Sequence, residues 1–529
     1  MEKSTLLFFV LMLIFSIYFF SAFNDIGVTY DENVYFLQTL RVTNASLPLN
    51  ERFAFSVPGS HLPFMYLFSA PVYALANNYL DTTTALRMGS GVLFFIALCV
   101  FFFFMRKEFG EIAALISSIV LMAMPRIFFQ SHLLALDFPI MALSTVAMIS
   151  FYYALERRSL KHCLLAGLSI SAVYATKITG YSLVIPLVIF LFYLIIHYLQ
   201  KHDHITCCHL ILVTFHIFIA CIIFFFLIIS MFHLSFTSVI DYTLSQASRR
   251  GEIFFFGHFF ANSLIISFLY VAFALLTMFN AIHVLFSLFG LFALTRHFFK
   301  NHATSCLLIF FFSTLLFFSL PFVEKTDGER HFLVLFPFMA AFAGIGAQAV
   351  SAALTKRLNH VHFPQALPVA FVALFAITGT FSLVSVHPFY SSYFNLFVDG
   401  ARGVAKYNMF PVTYWQDEFL YVLPWINSLP KNASVNGQPS SAPFVWYKSQ
   451  GMLRKDIQVR YGPAQYTVVP LRQTSIFDEH RHNSSWGLFA PLTPVFAVHN
   501  NQGADLVRVF NTTIPPAVLL KEGFQEPKR

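Results

Sequence analysis

The chain has 529 residues, 57% of them hydrophobic and only 11% charged, with a mean hydropathy of +0.68. Soluble domains carry roughly a quarter charged residues, so an ordinary soluble enzyme is excluded. The formal net charge of +8 is spread over short loops without a long basic run, which argues against a nucleic-acid partner.

The first apolar run, Leu6 to Phe20, follows Lys3 and has the outline of a signal peptide. It lacks a small-x-small cleavage site ahead of Asn24-Asp25, so it reads as a retained first span. A crossing takes about 20 apolar residues. On that measure about eleven spans are predicted, near residues 5–23, 84–105, 111–125, 136–155, 163–177, 179–198, 209–231, 276–296, 305–322, 332–353 and 366–386. The third and fifth are short for spanning. Most of the abundant phenylalanine lies in these runs as lipid-facing and core material.

The loops sort by charge. Arg106-Lys107, Arg157-Arg158-Lys161, Lys201, Arg296 with Lys300, and Lys356-Arg357 fall on one side, in short loops. The positive-inside rule makes that side cytoplasmic. The N-terminus is then cytoplasmic and the C-terminus external. The external side has a long first loop, 24–83, in which Leu62 to Ala76 suits a helix lying along the membrane surface. A second long external segment, 232–275, holds another semi-apolar stretch, Leu264 to Leu275. Residues 387–529 are polar, and Asp456 to Tyr461 and Tyr466 to Pro470 read as strands. The predicted architecture is an all-α polytopic membrane domain over 1–386 with a C-terminal extracytoplasmic α/β domain over 387–529.

Cys99, Cys163, Cys207, Cys208, Cys221 and Cys306 have no zinc-site spacing. All lie in the spans or on their cytoplasmic side, so no external disulfide framework is expected. The sequons at Asn44, Asn432, Asn483 and Asn511 all fall in segments assigned outside. Chance would produce the same pattern, because those segments are also the polar ones.

Four groups of ionisable residues have the chemistry of a site. Asp31 and Glu32 are adjacent carboxylates soon after the first span. One could take a proton from an acceptor hydroxyl; equally, both suit the first turn of a helix beginning near Asn33. Asp137, in Leu136-Asp-Phe-Pro139, stands among apolar residues at the external mouth of the fourth span. A charge there is costly and often functional, though Asp is also an N-cap residue and Pro139 suits a first turn. Lys177, in Ala-Thr-Lys-Ile, could grip a lipid-linked phosphate or simply snorkel to the interface. In the charged turn Glu324 to His331, Lys325 and Arg330 could hold a sugar-phosphate, or the run could be a solvated loop. Arg249, Arg250 and Arg87 are weaker candidates of the same kind, and His61 reads as structural. No phosphate-binding Gly-rich loop, G-x-S-x-G or metal-spaced His pair is present.

Taken in order, several stretches resemble the GT-C superfamily of membrane glycosyltransferases, closest to family 39 and the protein O-mannosyltransferase-like branch, and similar also to lipid A aminoarabinose transferases. They are Asp31-Glu32 in a long first loop, Pro58-Gly-Ser-His-Leu-Pro63 before a surface helix, Leu86-Arg-Met-Gly-Ser-Gly91, Met124-Pro-Arg126, Leu136-Asp-Phe-Pro139, Ala175-Thr-Lys177, Gln246 to Gly257, and Glu329-Arg-His-Phe-Leu-Val-Leu-Phe-Pro337. The most specific is His387-Pro-Phe-Tyr-Ser-Ser-Tyr-Phe-Asn395 through Gly403, followed by Tyr414-Trp-Gln-Asp417. It is similar to the family's "H-P-Y-x-x-x-Y-x-N-x-x-x-G-G" and "D-W-G-Q-D" stretches. This chain departs from them with Asp399-Gly400 for Gly-Gly, and with Trp415-Gln416-Asp417 one residue short, which puts acceptor choice in doubt.

The resemblance implies a polyprenyl-phosphate-sugar donor and a metal-independent inverting transfer on the external face to a protein, lipid or glycan. It casts Asp31 as the base or acceptor-orienting carboxylate, Glu32 as its neighbour and Asp137 as a second acidic residue. Lys177 and Arg330 would contact the lipid phosphate, with Lys325, Arg249 and Arg250 as helpers. No cofactor or divalent metal is expected. The membrane would be a bacterial inner membrane with the site facing the periplasm, or an endoplasmic reticulum membrane facing the lumen. Two other readings compete. A transporter or lipid flippase would want mid-span charges and repeated, interrupted helices, whereas the charges here sit at external span ends. A scaffold on the same fold would be expected to lack the acidic loop residues that this chain keeps.

Overall fold

The computed structural model describes residues 3–53, 61–234, 236–247, 252–260, 263–323, 325, 328–357, 366–471 and 493–512. The chain divides into two compact units. One comprises Met1–Ser21, Val34–Ile253 and Ala261–Val384; the other comprises Ala22–Asn33, Phe254–Phe260 and Ser385–Arg529.

The first unit is helical. Its elements are α1 (Lys3–Ser21), most of α2 (Glu32–Thr43), α3 (Leu49–Arg52), α4 (Phe64–Ala76), α5 (Thr82–Phe109), α6 (Glu111–Met122), α7 (Pro125–Ser131), α8 (Asp137–Arg157), α9 (Leu160–Tyr174), α10 (Val184–Gln200), α11 (His204–Met231), α12 (Phe236–Ala247), α13 (Leu264–Thr277), α14 (Ala281–Thr295), α15 (His302–Ser319), α16 (Phe336–Arg357) and α17 (Ala366–Val386). Among the described residues eight helical stretches are long and apolar enough to cross a membrane, or ten if each of two bent pairs is one span. The expected count of eleven is not matched by these eight to ten, and the difference lies in three of the predicted spans. The predicted span at 111–125 is α6 and α7 meeting at 66°, and the one at 276–296 is the second arm of α13 and α14, which meet at 118°. The one at 163–177 is α9, a shorter apolar helix of 15 residues.

These breaks have local causes. Pro125 sits at the first position of α7, where its missing N–H and fixed φ suit a helix start. At the sharper bend Asn280 caps α14 by accepting from the Ile282 N–H at 2.9 Å, and its amide donates to Ser382 Oγ at 2.9 Å. A bend inside an apolar layer must satisfy the backbone groups it frees, and Asn280 takes up one of them, the Ile282 N–H.

Burial sorts the spans. In the most apolar stretch of α8, and likewise of the span Gly328–Arg357, 78% is buried, against 22% for α11 and for the first span. The former are central; the latter present their side chains outward. Helices in lipid associate through close backbone approach, and Gly290 on α14 supplies one such approach. A Cβ there would fall 1.9 Å from the Phe342 carbonyl oxygen of α16. Ser287, one turn away, donates to the Met339 carbonyl at 2.8 Å.

The second unit is built on a five-stranded sheet of order β4-β3-β5-β7-β6: β3 (Ser434–Gly437), β4 (Gln458–Arg460), β5 (Tyr466–Pro470), β6 (Phe496–His499) and β7 (Asp505–Asn511). A separate short hairpin pairs β1 (Ile253–Phe255) with β2 (His258–Phe260). In the larger sheet β3 pairs parallel with both β4 and β5, and β7 pairs antiparallel with β5 and β6. Helix α20 (Ala442–Ser449) makes the parallel connection from β3 to β4; the shorter α18 (Gly400–Lys406) and α19 (Leu423–Asn427) precede β3. Strand β3 is wholly buried, as a central strand with partners on both sides should be. Asp399, where the resemblance expects glycine, adopts the left-handed conformation at φ 56°, one that Asp tolerates better than most residues.

Candidate active site

Three segments of the helical unit converge on one carboxylate. Asp137 is the first residue of α8, and the preceding Leu136 makes no side-chain cap. Asp137 is thus engaged by cations rather than by the helix start. Lys177 lies in extended backbone between α9 and the turn Ile178–Leu183, and its Nζ donates to Asp137 Oδ1 at 2.6 Å. Arg330 belongs to the short 3-10 segment Gly328–Leu335 and places Nη1 3.7 Å from Asp137 Oδ2. The carboxylate is 4% exposed, with Lys177 and Arg330 at 10% and 12%. Two cations around one carboxylate leave a net positive charge in a poorly hydrated place, where an anion would be held strongly. His331 is buried beside them, and its Nε2 has no hydrogen-bond partner among the described residues.

A second ion pair anchors this arrangement. Arg126, on α7, donates from Nη1 to Glu329 Oε2 at 2.6 Å, with the two side chains 1% and 0% exposed. Glu329 directly precedes Arg330, so the pair fixes the segment that carries Arg330 to Asp137. Sequence reading did not single out Arg126 or Glu329 as site residues. The signal was an arginine inside an apolar run, Met-Pro-Arg-Ile-Phe-Phe, where a charge must find a buried partner.

Lys325 has a different assignment. It is buried, and its Nζ donates to the carbonyls of Leu320 and Val323 at 2.9 and 2.7 Å, closing the end of α15. Burial pushes its pKa down to about 8. The unfolded chain would hold that proton up to about 10.4. Between these values the unfolded state binds more protons, so stability rises with pH. A Lys325→Met protein is therefore expected to exceed wild type in thermal midpoint by more at pH 7 than at pH 9.5. A gap that does not change with pH would show an ordinary lysine.

The acidic pair Asp31-Glu32 is carried by the second unit. Glu32 is fully buried, and its Oε2 accepts from the Thr29 N–H at 3.0 Å, the backward half of a capping box. Asp31 is partly exposed. The loop holding them is fastened to the C-terminal segments. The Val28 N–H donates to the Tyr447 hydroxyl at 2.7 Å, the Tyr421 hydroxyl to the Asp25 carbonyl at 2.8 Å, and the Tyr30 N–H to the Trp415 carbonyl at 3.4 Å. Gly27 lies so close that a Cβ would sit 1.9 Å from the Asp417 carbonyl oxygen. Behind it Asp417 accepts from Ser391 Oγ at 3.1 Å. Burial and the Asp417 charge push Glu418 well above the usual carboxylate range. Trp415-Gln416-Asp417 thus backs the loop that bears Asp31, a role the sequence did not disclose.

Of the other candidates, Arg87 is buried within α5. His61 bonds through Nδ1 to the Tyr242 hydroxyl, in keeping with a structural role. Arg249 and Arg250, and the sequon at Asn483, lie outside the described residues. Among the described residues no group of three or more His, Cys, Asp or Glu is placed to hold a metal ion.

Residues 60–240 match the family model described as dolichyl-phosphate-mannose-protein mannosyltransferase. No curated protein matches the sequence. Among solved structures, ArnT from Cupriavidus metallidurans in the apo state aligns over 96% of this chain and 97% of its own, at 11% identity and TM-score 0.50. The same protein bound to undecaprenyl phosphate aligns over 96% and 98%, at 14% identity and TM-score 0.49. The apo oligosaccharyltransferase of Archaeoglobus fulgidus aligns over 82% of this chain and 61% of its own, at 13% identity and TM-score 0.47. The GT-C resemblance read from the sequence is met in the family match and in a likeness of fold to ArnT over nearly the whole chain.

Proposed function

We propose that this multi-pass membrane protein of GT-C type is a glycosyltransferase that takes a sugar from a polyprenyl-phosphate carrier. The acceptor is a protein, lipid or glycan hydroxyl on the extracytoplasmic face. The observation that carries the reading is the buried, net-positive group of Lys177, Asp137 and Arg330. ArnT, whose fold this chain shares, has also been crystallised with undecaprenyl phosphate, which agrees with a lipid phosphate as the ligand.

In this reading the donor phosphate accepts from Lys177 and Arg330, and Asp137 keeps the Lys177 ammonium aimed. The bond from the sugar's anomeric carbon to the phosphate oxygen breaks, and its electron pair leaves with the phosphate. Fixed cations stabilise that developing charge without having to reorganise. The acceptor oxygen forms the new bond to the same carbon and gives up its proton to a carboxylate base, the role in which the family resemblance casts Asp31. This needs no metal. The charge bias of the short loops supports a site on the external side, facing the periplasm in a bacterium or the lumen in a eukaryote.

The test is turnover by the purified full-length protein in nanodiscs, offered a panel of radiolabelled polyprenyl-phosphate hexoses and pentoses with membrane extract as acceptor. Release of polyprenyl phosphate from one donor is expected. A Lys177→Met protein should show a donor KM raised about 10- to 100-fold, the worth of one charged hydrogen bond. A folded wild type that consumes no donor, or an unchanged KM in the variant, would count against the reading.

A further inference from the structure

Between α8, the turn Ile178–Leu183, α15 and the start of α16 lies a small cavity. Ser144 and Thr145 of α8, Ser182 of the turn and Thr314 of α15 bring hydroxyls to it, and Phe310 and Phe338 are among the apolar side chains that close it. The centre of a water molecule has about 20 Å³ in which to move there, enough to hold one water. Ser144 is seven residues along α8 from Asp137, about 10 Å further in. Ser182 is five residues beyond Lys177, and Val334, also in the wall, is four beyond Arg330. The three segments that converge on the Asp137 carboxylate thus meet again around this space.

A hydroxyl on an apolar helix can bond back to the carbonyl one turn earlier. Thr145, Ser313 and Ser319 do so, to the carbonyls of Met141, Ile309 and Leu315 at 2.9, 2.5 and 2.7 Å. Ser144, Ser182 and Thr314 do not, and among the described residues their side chains make no hydrogen bond. Ser182 and Thr314 are 4% and 6% exposed, and Ser144 is half-buried. A buried hydroxyl without a partner is costly, and more so inside a membrane, where bulk water cannot serve it. These three line one space, so one molecule can serve them all. Water donates twice and accepts twice, and Thr145, whose proton is committed to Met141, can still accept. Among the described residues no ionisable side chain lines the cavity, so a cation would find no counter-charge there. An apolar guest would leave the hydroxyls as they are.

We propose that this cavity is a binding site for a single water molecule, hydrogen-bonded to Ser144, Ser182 and Thr314. The water joins α8, the turn after Lys177 and α15 through hydroxyls that do not bond one another. It holds in place, from within the helical unit, the turn whose first residue follows Lys177. The site stands whether or not the chain transfers a sugar.

Electron cryomicroscopy of the full-length protein in nanodiscs, at a resolution that shows ordered water elsewhere in the molecule, tests this. One peak is expected in the cavity, about 2.7 to 3.0 Å from at least two of the three hydroxyl oxygens. It should be lost from a Ser182→Ala/Thr314→Val protein. Thr314→Val alone keeps the shape of the side chain and removes only the hydroxyl. If water is bound, its thermal midpoint should fall by about 1 to 3 °C, the worth of one hydrogen bond in a unit of this size. If the cavity is dry, the same change removes an unpaired hydroxyl and the midpoint should rise, which would overturn the proposal. So would an empty cavity in wild type, or a peak that survives in the double variant. A peak at about 2.3 to 2.6 Å, the distance at which oxygens hold a calcium ion, would mark a cation and also overturn it.

Discussion

Replacing Arg126 with methionine is expected to destabilise the helical unit by about 3 to 5 kcal/mol, the cost of leaving one partner of a buried pair alone. Arg126 and Glu329 are 1% and 0% exposed at 2.6 Å. The substitution takes the buried cation away from a carboxylate that water cannot reach. The effect should appear as a markedly lower thermal midpoint in detergent or nanodiscs, and it should persist at high salt, because buried pairs are poorly screened. An Arg126→Met/Glu329→Leu protein should recover most of the stability, since apolar replacements of a buried pair are often neutral or better. Its donor KM should nonetheless stay raised, because Glu329 tethers the segment that presents Arg330 to Asp137. Wild-type melting of the single variant would refute the first expectation; a wild-type KM in the double variant would refute the tether.

Replacing Asp31 with asparagine is expected to lower transfer by about 10²- to 10⁴-fold, the range that a positioned general base supplies. Asp31 is partly exposed, so the melting midpoint should hardly move, and donor KM should be unchanged because Lys177 and Arg330 are untouched. Glu32→Gln makes the control. Glu32 Oε2 accepts from the Thr29 N–H, and an amide oxygen can do the same, so any loss there should be small. Full activity in Asp31→Asn would remove Asp31 from the chemistry and leave Asp137 as the next carboxylate to examine.

The spans were legible because apolar runs are a bulk property, and the resemblance was legible because its motifs keep their order. The breaks were legible only as a short third span and as a semi-apolar stretch set apart from the span at 276–296, without their angle or position. Hydropathy sums over a window and does not register a bend at Pro125 or Asn280, so α6 with α7, and α13 with α14, read as continuous or partial spans. Single ionisable residues were legible as anomalies in apolar surroundings, which singled out Asp137, Lys177 and Arg330. Their pairing was not, because the contacts join residues far apart in the chain. Arg126 and Glu329 are 203 positions apart, and periodicity carries no information at that range. For Glu32 two roles fitted the sequence, and only the Thr29 hydrogen bond shows that the helix-start role is in use.

The second unit is assembled from residues 22–33, 254–260 and 385–529, and this bears on how the protein is made. The loop with Asp31 leaves the ribosome early, yet Trp415, Tyr421 and Tyr447, which fasten it, come some four hundred residues later. At 5–20 residues per second that delay is on the order of a minute. During it the nascent chain already has its helices in the membrane while the acidic loop lacks its supports. A chain interrupted before residue 415 would have its earlier helices made while the acidic loop still lacked these supports, so any role of Asp31 waits on the segments that carry Trp415, Tyr421 and Tyr447.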